Sequence, residues 1–123
     1  MILLCIDDEP IGLRVRKMLL EREGYEVLTA MSGPEGLTIF ANQSIEAVVL
    51  DYSMPGMNGD EVAAEMKRLK PTVKILLLSA YVDLPAEALK SVDRRAVKGV
   101  SPTDFLTELR QLLACYRCCP GSF

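Results

Sequence analysis

Histidine is absent from this 123-residue sequence. Its absence excludes His-based catalytic triads, His metal ligands and phosphohistidine on this chain. There is no long apolar run either: no window approaches the roughly 20 residues that a membrane-spanning helix needs. The apolar start, Met1 to Ile6, is too short for a signal peptide and carries no basic leader, so the cytoplasm is the expected compartment. Basic residues are not in excess. Fourteen Lys and Arg face seventeen Asp and Glu, and the net charge of −3 offers no electrostatic argument for nucleic acid or an anionic membrane. Four cysteines do not make a disulfide framework. Cys5 lies inside the first apolar run and reads as a small buried thiol, while Cys115, Cys118 and Cys119 crowd the C-terminal end. Three thiols without a histidine fall short of the usual zinc set, so free thiols on a frayed helix end are expected there.

What is present is a globular composition, half hydrophobic and a quarter charged, in a length that suits one domain. Apolar runs at Ile2–Ile6, Tyr25–Ala30, Ala47–Leu50 and Val73–Leu78, with a weaker one at Arg95–Lys98, read as strands. Several are continuously apolar, as strands covered on both faces of a parallel sheet are. Helix-length stretches lie between them. Ile11, Val15, Met18 and Arg22 recur at helical spacing, which predicts one shared face. Val62, Met66 and Leu69 repeat the spacing, and Phe105, Leu109, Leu112 and Leu113 do so again. Gly24 marks a helix end; Pro34 and Pro102 mark helix starts. Ser101 to Asp104 resembles a capping box. Five strand-helix alternations predict a (βα)5 α/β fold, a three-layer sandwich. Residues 1–114 are read as the folded domain and 115–123 as a frayed, cysteine-rich tail.

The acids carry the chemistry. Asp7 and Asp8 directly follow the first apolar run, and Asp51 directly follows the third. In a parallel α/β sheet the loops after strand carboxyl ends gather on one edge, so the three side chains can converge. Clustered carboxylates repel one another, and an oxygen-seeking divalent cation relieves that repulsion.

These residues resemble the receiver domain of two-component response regulators, over about residues 2–114. The resemblance rests on Asp7–Asp8, on Asp51 with Met54-Pro55-Gly56-Met57-Asn58-Gly59 behind it, on Ser79-Ala80 after the fourth strand and on Lys98 after the fifth. It implies a flavodoxin-like, doubly wound, five-stranded parallel sheet of order 2-1-3-4-5. It implies that Asp51 is the phosphoacceptor, with Mg²⁺ held by Asp8, Asp51 and the backbone carbonyl of Ser53, and by Asp7 through water. Lys98 would pair with Asp51 and then with the phosphoryl oxygens, and Ser79 would hydrogen-bond the phosphoryl group. Ala80, Tyr81 and Arg95 fall at switch or access positions. The implied donor is a histidine kinase or phosphotransfer protein; the implied receiver of the signal is a downstream protein or an output domain absent from this sequence. Nucleic acid and membrane are not expected partners of this domain, and self-association is left open. Catalysis is expected only as self-phosphorylation and slow self-dephosphorylation.

Three departures stand out. Gly99 follows Lys98 where the family usually has proline, which predicts a trans bond or a rearranged loop. Arg95 stands where many members carry a switch aromatic, and the segment between Ser79 and Lys98 is about one helical turn short, with Pro85 before the brief pattern Ala86–Val92. A small or mobile fourth helix is therefore expected. An alternative function is a receiver-like docking module that works without phosphorylation. Haloacid-dehalogenase-like phosphatases want a second aspartate where Ser53 stands, and dinucleotide folds want a glycine-rich turn where Asp7-Asp8-Glu9-Pro10 stands.

Overall fold

The computed structural model describes residues 1–80 and 83–121, with side chains described up to residue 114. Five parallel strands, β1 (Ile2–Ile6), β2 (Glu26–Ala30), β3 (Ala47–Asp51), β4 (Lys74–Ser79) and β5 (Arg94–Val97), form one sheet of order β2-β1-β3-β4-β5. The helices between them are α1 (Pro10–Arg22), α2 (Gly33–Asn42), α3 (Gly59–Leu69) and α4 (Pro102–Gly121). The fold class and strand order expected from the sequence are those observed. A small fourth helix was also expected: among the described residues the connection from β4 to β5 holds a single 3₁₀ turn, Ala86–Leu89, four residues long. Pro85 opens it, and a run this short buries only Ala88.

Strand alternation divides the core into two layers. Leu3 and Cys5 of β1 face α1 and α4, together with Val49, Leu76, Leu78, Phe105 and Leu109. Leu4 and Ile6 face α2 and α3, together with Val48, Leu50, Val62, Met66 and Ile75. Both sides of β1, β3 and β4 are therefore dry, which is why Ile2–Ile6, Ala47–Leu50 and Ile75–Leu78 are continuously apolar. Each fully buried leucine contributes about 2 kcal/mol of burial.

The faces of two helices correct the sequence reading. In α1 the stripe Ile11, Val15 and Met18 is at least half exposed, and the helix is seated instead by Leu13 and Leu20. Leu69 in α3 is also exposed, whereas Val62 and Met66 are buried as expected. The four apolar residues expected of α4, Phe105, Leu109, Leu112 and Leu113, are all buried.

Helix ends follow the expected punctuation. Gly24 takes φ +93° just after α1. The Ser32 hydroxyl accepts from the Glu35 N–H at 3.2 Å at the start of α2, with Pro34 one place further into the helix than a first position. The Ser101 hydroxyl accepts from the Asp104 N–H at 3.1 Å before Pro102. The reading of 115–123 as a frayed tail, with Cys115, Cys118 and Cys119, falls on residues whose side chains lie outside those described.

Candidate functional site

The carboxyl ends of β1, β3, β4 and β5 meet on one edge of the sheet. Pairing of Ile6 with Leu50, Asp51 with Leu78 and Ser79 with Val97 puts the residues that follow side by side. Asp7 leaves β1 with its N–H donating to Ala30 O at 3.1 Å. Asp51 ends β3. Its neighbour Tyr52 donates a backbone bond to Leu78 O at 2.8 Å, and the Gly59 N–H donates to Tyr52 O at 2.7 Å. The chain thus turns back on itself between Asp51 and α3. Gly56 takes φ +82° in that turn. Gly59 has no space for a side chain: a Cβ there would lie 2.4 Å from the Asp51 backbone oxygen. The Asn58 N–H donates to the Glu61 carboxylate at 3.0 Å, which is one half of a capping box.

Three carboxylates converge. One oxygen from each of Asp7, Asp8 and Asp51 lies within 4.8 Å of the others; Asp7 and Asp51 are buried and Asp8 is exposed. The Lys98 ammonium reaches in from the end of β5, 3.1 Å from Asp51 Oδ1 and 3.2 Å from Asp7 Oδ2. Its backbone N–H donates to Ser79 O at 2.7 Å, which ties the β5 end to the β4 end. The Lys98–Gly99 peptide is trans, as expected, and Gly99 takes φ +87°. Proline, locked near −65°, cannot adopt that angle. Glycine in place of proline therefore goes with a different loop, and this loop still delivers the ammonium to both acids.

Arg16 is not among the candidates read from the sequence, where it falls in the basic stretch from Arg14 to Lys17. Its guanidinium instead bonds Asp7 Oδ2, and the side chain is only 15% exposed. Asp7 Oδ1 accepts from the Glu9 N–H at 3.0 Å. A signal for Arg16 was available: it lies on the same helical face as Leu13 and Leu20, a polar residue in the stripe that seats α1.

The electrostatics separate the two buried acids. Burial, followed by the neighbouring Asp7 charge, pushes the Asp51 carboxyl up from 3.8 to about 6, against the pull of Lys98. Burial also acts on Asp7, but the Glu9 N–H, Arg16 and Lys98 outweigh it and hold that carboxyl below its ordinary value. Burial disfavours the Lys98 charge, yet Asp51 and Asp7 more than compensate and raise its pKa. Among the described residues, Asp51 Oδ2 is buried without a hydrogen-bond partner. A buried orphan carboxylate oxygen beside two further carboxylates is a donor set that suits a hard divalent cation such as Mg²⁺.

The remaining candidates are placed as follows. Ser79 is buried at the end of β4, and Ala80 after it is exposed. Ser53 is exposed two residues beyond Asp51. Arg95 is on β5 with an exposed side chain. Tyr81 lies outside the described residues. Among the described residues no helix is long and apolar enough to cross a membrane.

Comparison with known proteins agrees with this geometry. The family described as "Response regulator receiver domain" matches residues 3–111. The chain is 32% identical over 114 residues to the response regulator SaeR of Staphylococcus aureus, covering 90% of this chain and 50% of that protein. It therefore spans about half the length, or less, of the curated relatives it matches. Among solved structures, a CheY-like receiver domain protein from Methanospirillum hungatei JF-1 superposes with a TM-score of 0.89 at 29% identity, over 94% of this chain and 95% of that one. The response regulator TrrA from Thermotoga maritima, in complex with Mg²⁺ and BeF, superposes with a TM-score of 0.82 at 36% identity, over 90% and 97%. TrrA has also been solved in complex with the histidine kinase ThkA.

Proposed function

This chain is a member of the response regulator receiver domain family, and we propose that it accepts a phosphoryl group on Asp51 from a histidine kinase or phosphotransfer protein, with Mg²⁺ as cofactor. The observation that carries this reading is the bridged acid pair: Lys98 Nζ sits between Asp51 and Asp7, while Asp51 Oδ2 is unpartnered among the described residues. TrrA with Mg²⁺ and BeF, and TrrA with a histidine kinase, support the choice of cofactor and donor.

Asp8, Asp51 and the Ser53 carbonyl would hold Mg²⁺ directly, with Asp7 acting through water; the cation supplies charge that offsets repulsion between an anionic nucleophile and an anionic donor. The chain's own groups do the rest. Asp51, with its pKa near 6, is largely ionised at neutral pH and so is available as a nucleophile. A carboxylate oxygen of Asp51 attacks phosphorus, the bond from phosphorus to the donor's imidazole nitrogen breaks, and that nitrogen keeps the electron pair. The imidazole comes from the partner, because this sequence has no histidine. Lys98, already 3.1 Å from Asp51, turns to the transferred oxygens. Ser79, buried at the neighbouring strand end, supplies a hydroxyl for the same group.

The chain then signals by conformational change and protein contact, in the cytoplasm, to a downstream protein or to an output domain of a longer regulator. Its only catalysis in this reading is on itself. The exposed apolar stripe Ile11, Val15 and Met18, on the helix that begins just past Asp8, offers the donor protein a surface beside the site. Ala80, Tyr81 and Arg95 are assigned to access and switching.

Intact-mass measurement after incubation with acetyl phosphate and Mg²⁺ tests the reading. The expected result is a gain of one phosphoryl group, lost in Asp51→Asn and lost when Mg²⁺ is chelated. An unmodified chain, with no response to beryllofluoride, would instead mark a docking module that works without phosphate.

A further inference from the structure

We propose that Arg16 is a positioning residue of the phosphoacceptor site, holding the Asp7 carboxylate so that Lys98 can leave Asp7 for the phosphoryl group. This inference rests on the phosphoacceptor reading above and assigns a task within that site to a residue on α1.

The geometry starts from a single oxygen. Arg16 and Lys98 both bond Asp7 Oδ2, while Asp7 Oδ1 is taken by the Glu9 N–H. Asp7 is fully buried, and a buried carboxylate left without a cation is costly. If Lys98 were its only cation, moving the ammonium towards a phosphoryl group would strand that charge. With Arg16 in place it does not. Arg16 is suited to the stationary part: its planar guanidinium is held on a side chain only 15% exposed, which lines, with Val15, Leu19 and Phe105, a groove of about 240 Å³ between α1 and α4. Lys98, on its flexible stem beside Gly99, is suited to the moving part.

Charge counting points the same way. Three carboxylates facing Arg16 and Lys98 leave one net negative charge. A bound Mg²⁺ turns this to one net positive charge, which favours an anionic donor. Phosphorylation replaces the Asp51 monoanion with a group of about −2, and the site becomes neutral. Without Arg16 the empty site is more negative and the phosphorylated one is left with a charge unbalanced. The two binding steps should therefore respond in opposite directions.

Calorimetric titration of the folded chain with Mg²⁺ alone, and with beryllofluoride at saturating Mg²⁺, tests this in wild type and Arg16→Gln. The variant should bind Mg²⁺ roughly three- to tenfold more tightly and beryllofluoride roughly tenfold more weakly. Arg16→Lys should restore both affinities to within about threefold of wild type. In an Asp7→Asn background, adding Arg16→Gln should change beryllofluoride and Mg²⁺ affinity by less than it does in the wild-type background, since the positioning part of its effect runs through Asp7. Should Arg16→Gln not fold, Arg16→Met keeps an apolar stem along the groove and carries the same comparison. Unchanged affinities, or weakening of both together, overturn the inference while leaving the phosphoacceptor reading intact. A wild-type chain that binds neither probe overturns both.

Discussion

Removing the charge that makes Asp51 useful should make the metal-free protein more stable. The Asp51 carboxyl is 2% exposed and lies beside the buried Asp7, and its pKa is raised from 3.8 to about 6 even with Lys98 at 3.1 Å. A carboxyl whose native pKa lies above its unfolded value protonates more readily in the fold. The native state is therefore penalised as pH rises from 3.8 to about 6, and the penalty is complete above that window. A shift of this size corresponds to about 3 kcal/mol at pH 7.5 and falls to about 1 kcal/mol at pH 4.5. Asp51→Asn removes the charge at nearly constant shape and leaves Lys98 its contact with Asp7. Thermal unfolding in a chelator at pH 7.5 should show the variant melting roughly 5–12 °C above wild type. The gap should close to a few degrees at pH 4.5. With millimolar Mg²⁺ at pH 7.5 wild type should recover stability and the variant should gain much less, because binding to the folded state adds stability. A variant that melts below wild type in chelator at pH 7.5, or a gap that widens on acidification, would refute the reasoning.

Gly59→Ala should destabilise the fold by about 1–3 kcal/mol, because its Cβ meets the Asp51 and Tyr52 backbone and not a flexible side chain; urea unfolding measures this, and a loss below about 0.5 kcal/mol would contradict the close packing. The same variant should bind Mg²⁺ more weakly, since the displaced atoms belong to the end of β3. Gly99→Pro cannot keep φ +87° and should cost more than Gly99→Ala, which pays about 1–2 kcal/mol for a left-handed backbone. Equal melting temperatures for wild type and Gly99→Pro would show that this loop does not depend on glycine.

The sheet was legible where burial on both sides left no ambiguity. Ile2–Ile6, Ala47–Leu50 and, Lys74 apart, Val73–Leu78 are apolar at every step because helices cover both faces, and the observed strands match them to within a residue or two. The site was legible for a related reason. Acids placed directly after such runs fall on the carboxyl edge of a parallel sheet, and Asp7, Asp8 and Asp51 do meet there with Lys98. Helix α1 was misread because it carries two apolar stripes. Ile11, Val15 and Met18 fit the helical period as well as Leu13 and Leu20 do, and periodicity alone does not say which stripe faces the sheet. The same ambiguity hid Arg16, which is inward-facing only if Leu13 and Leu20 are. The region between β4 and β5 was legible as irregular: Pro85 and a short apolar pattern were enough to expect a weakened helix, and a 3₁₀ turn is what forms.

The most direct test of the central claim locates the phosphoryl bond. After reaction with acetyl phosphate and Mg²⁺, borohydride reduces an aspartyl phosphate to homoserine, and peptide mass spectrometry then identifies the altered position. Conversion is expected at residue 51 alone, dependent on Mg²⁺ and absent from unphosphorylated protein. Conversion at Asp7 or Asp8 instead, or none at all in protein that has gained a phosphoryl group, would contradict it.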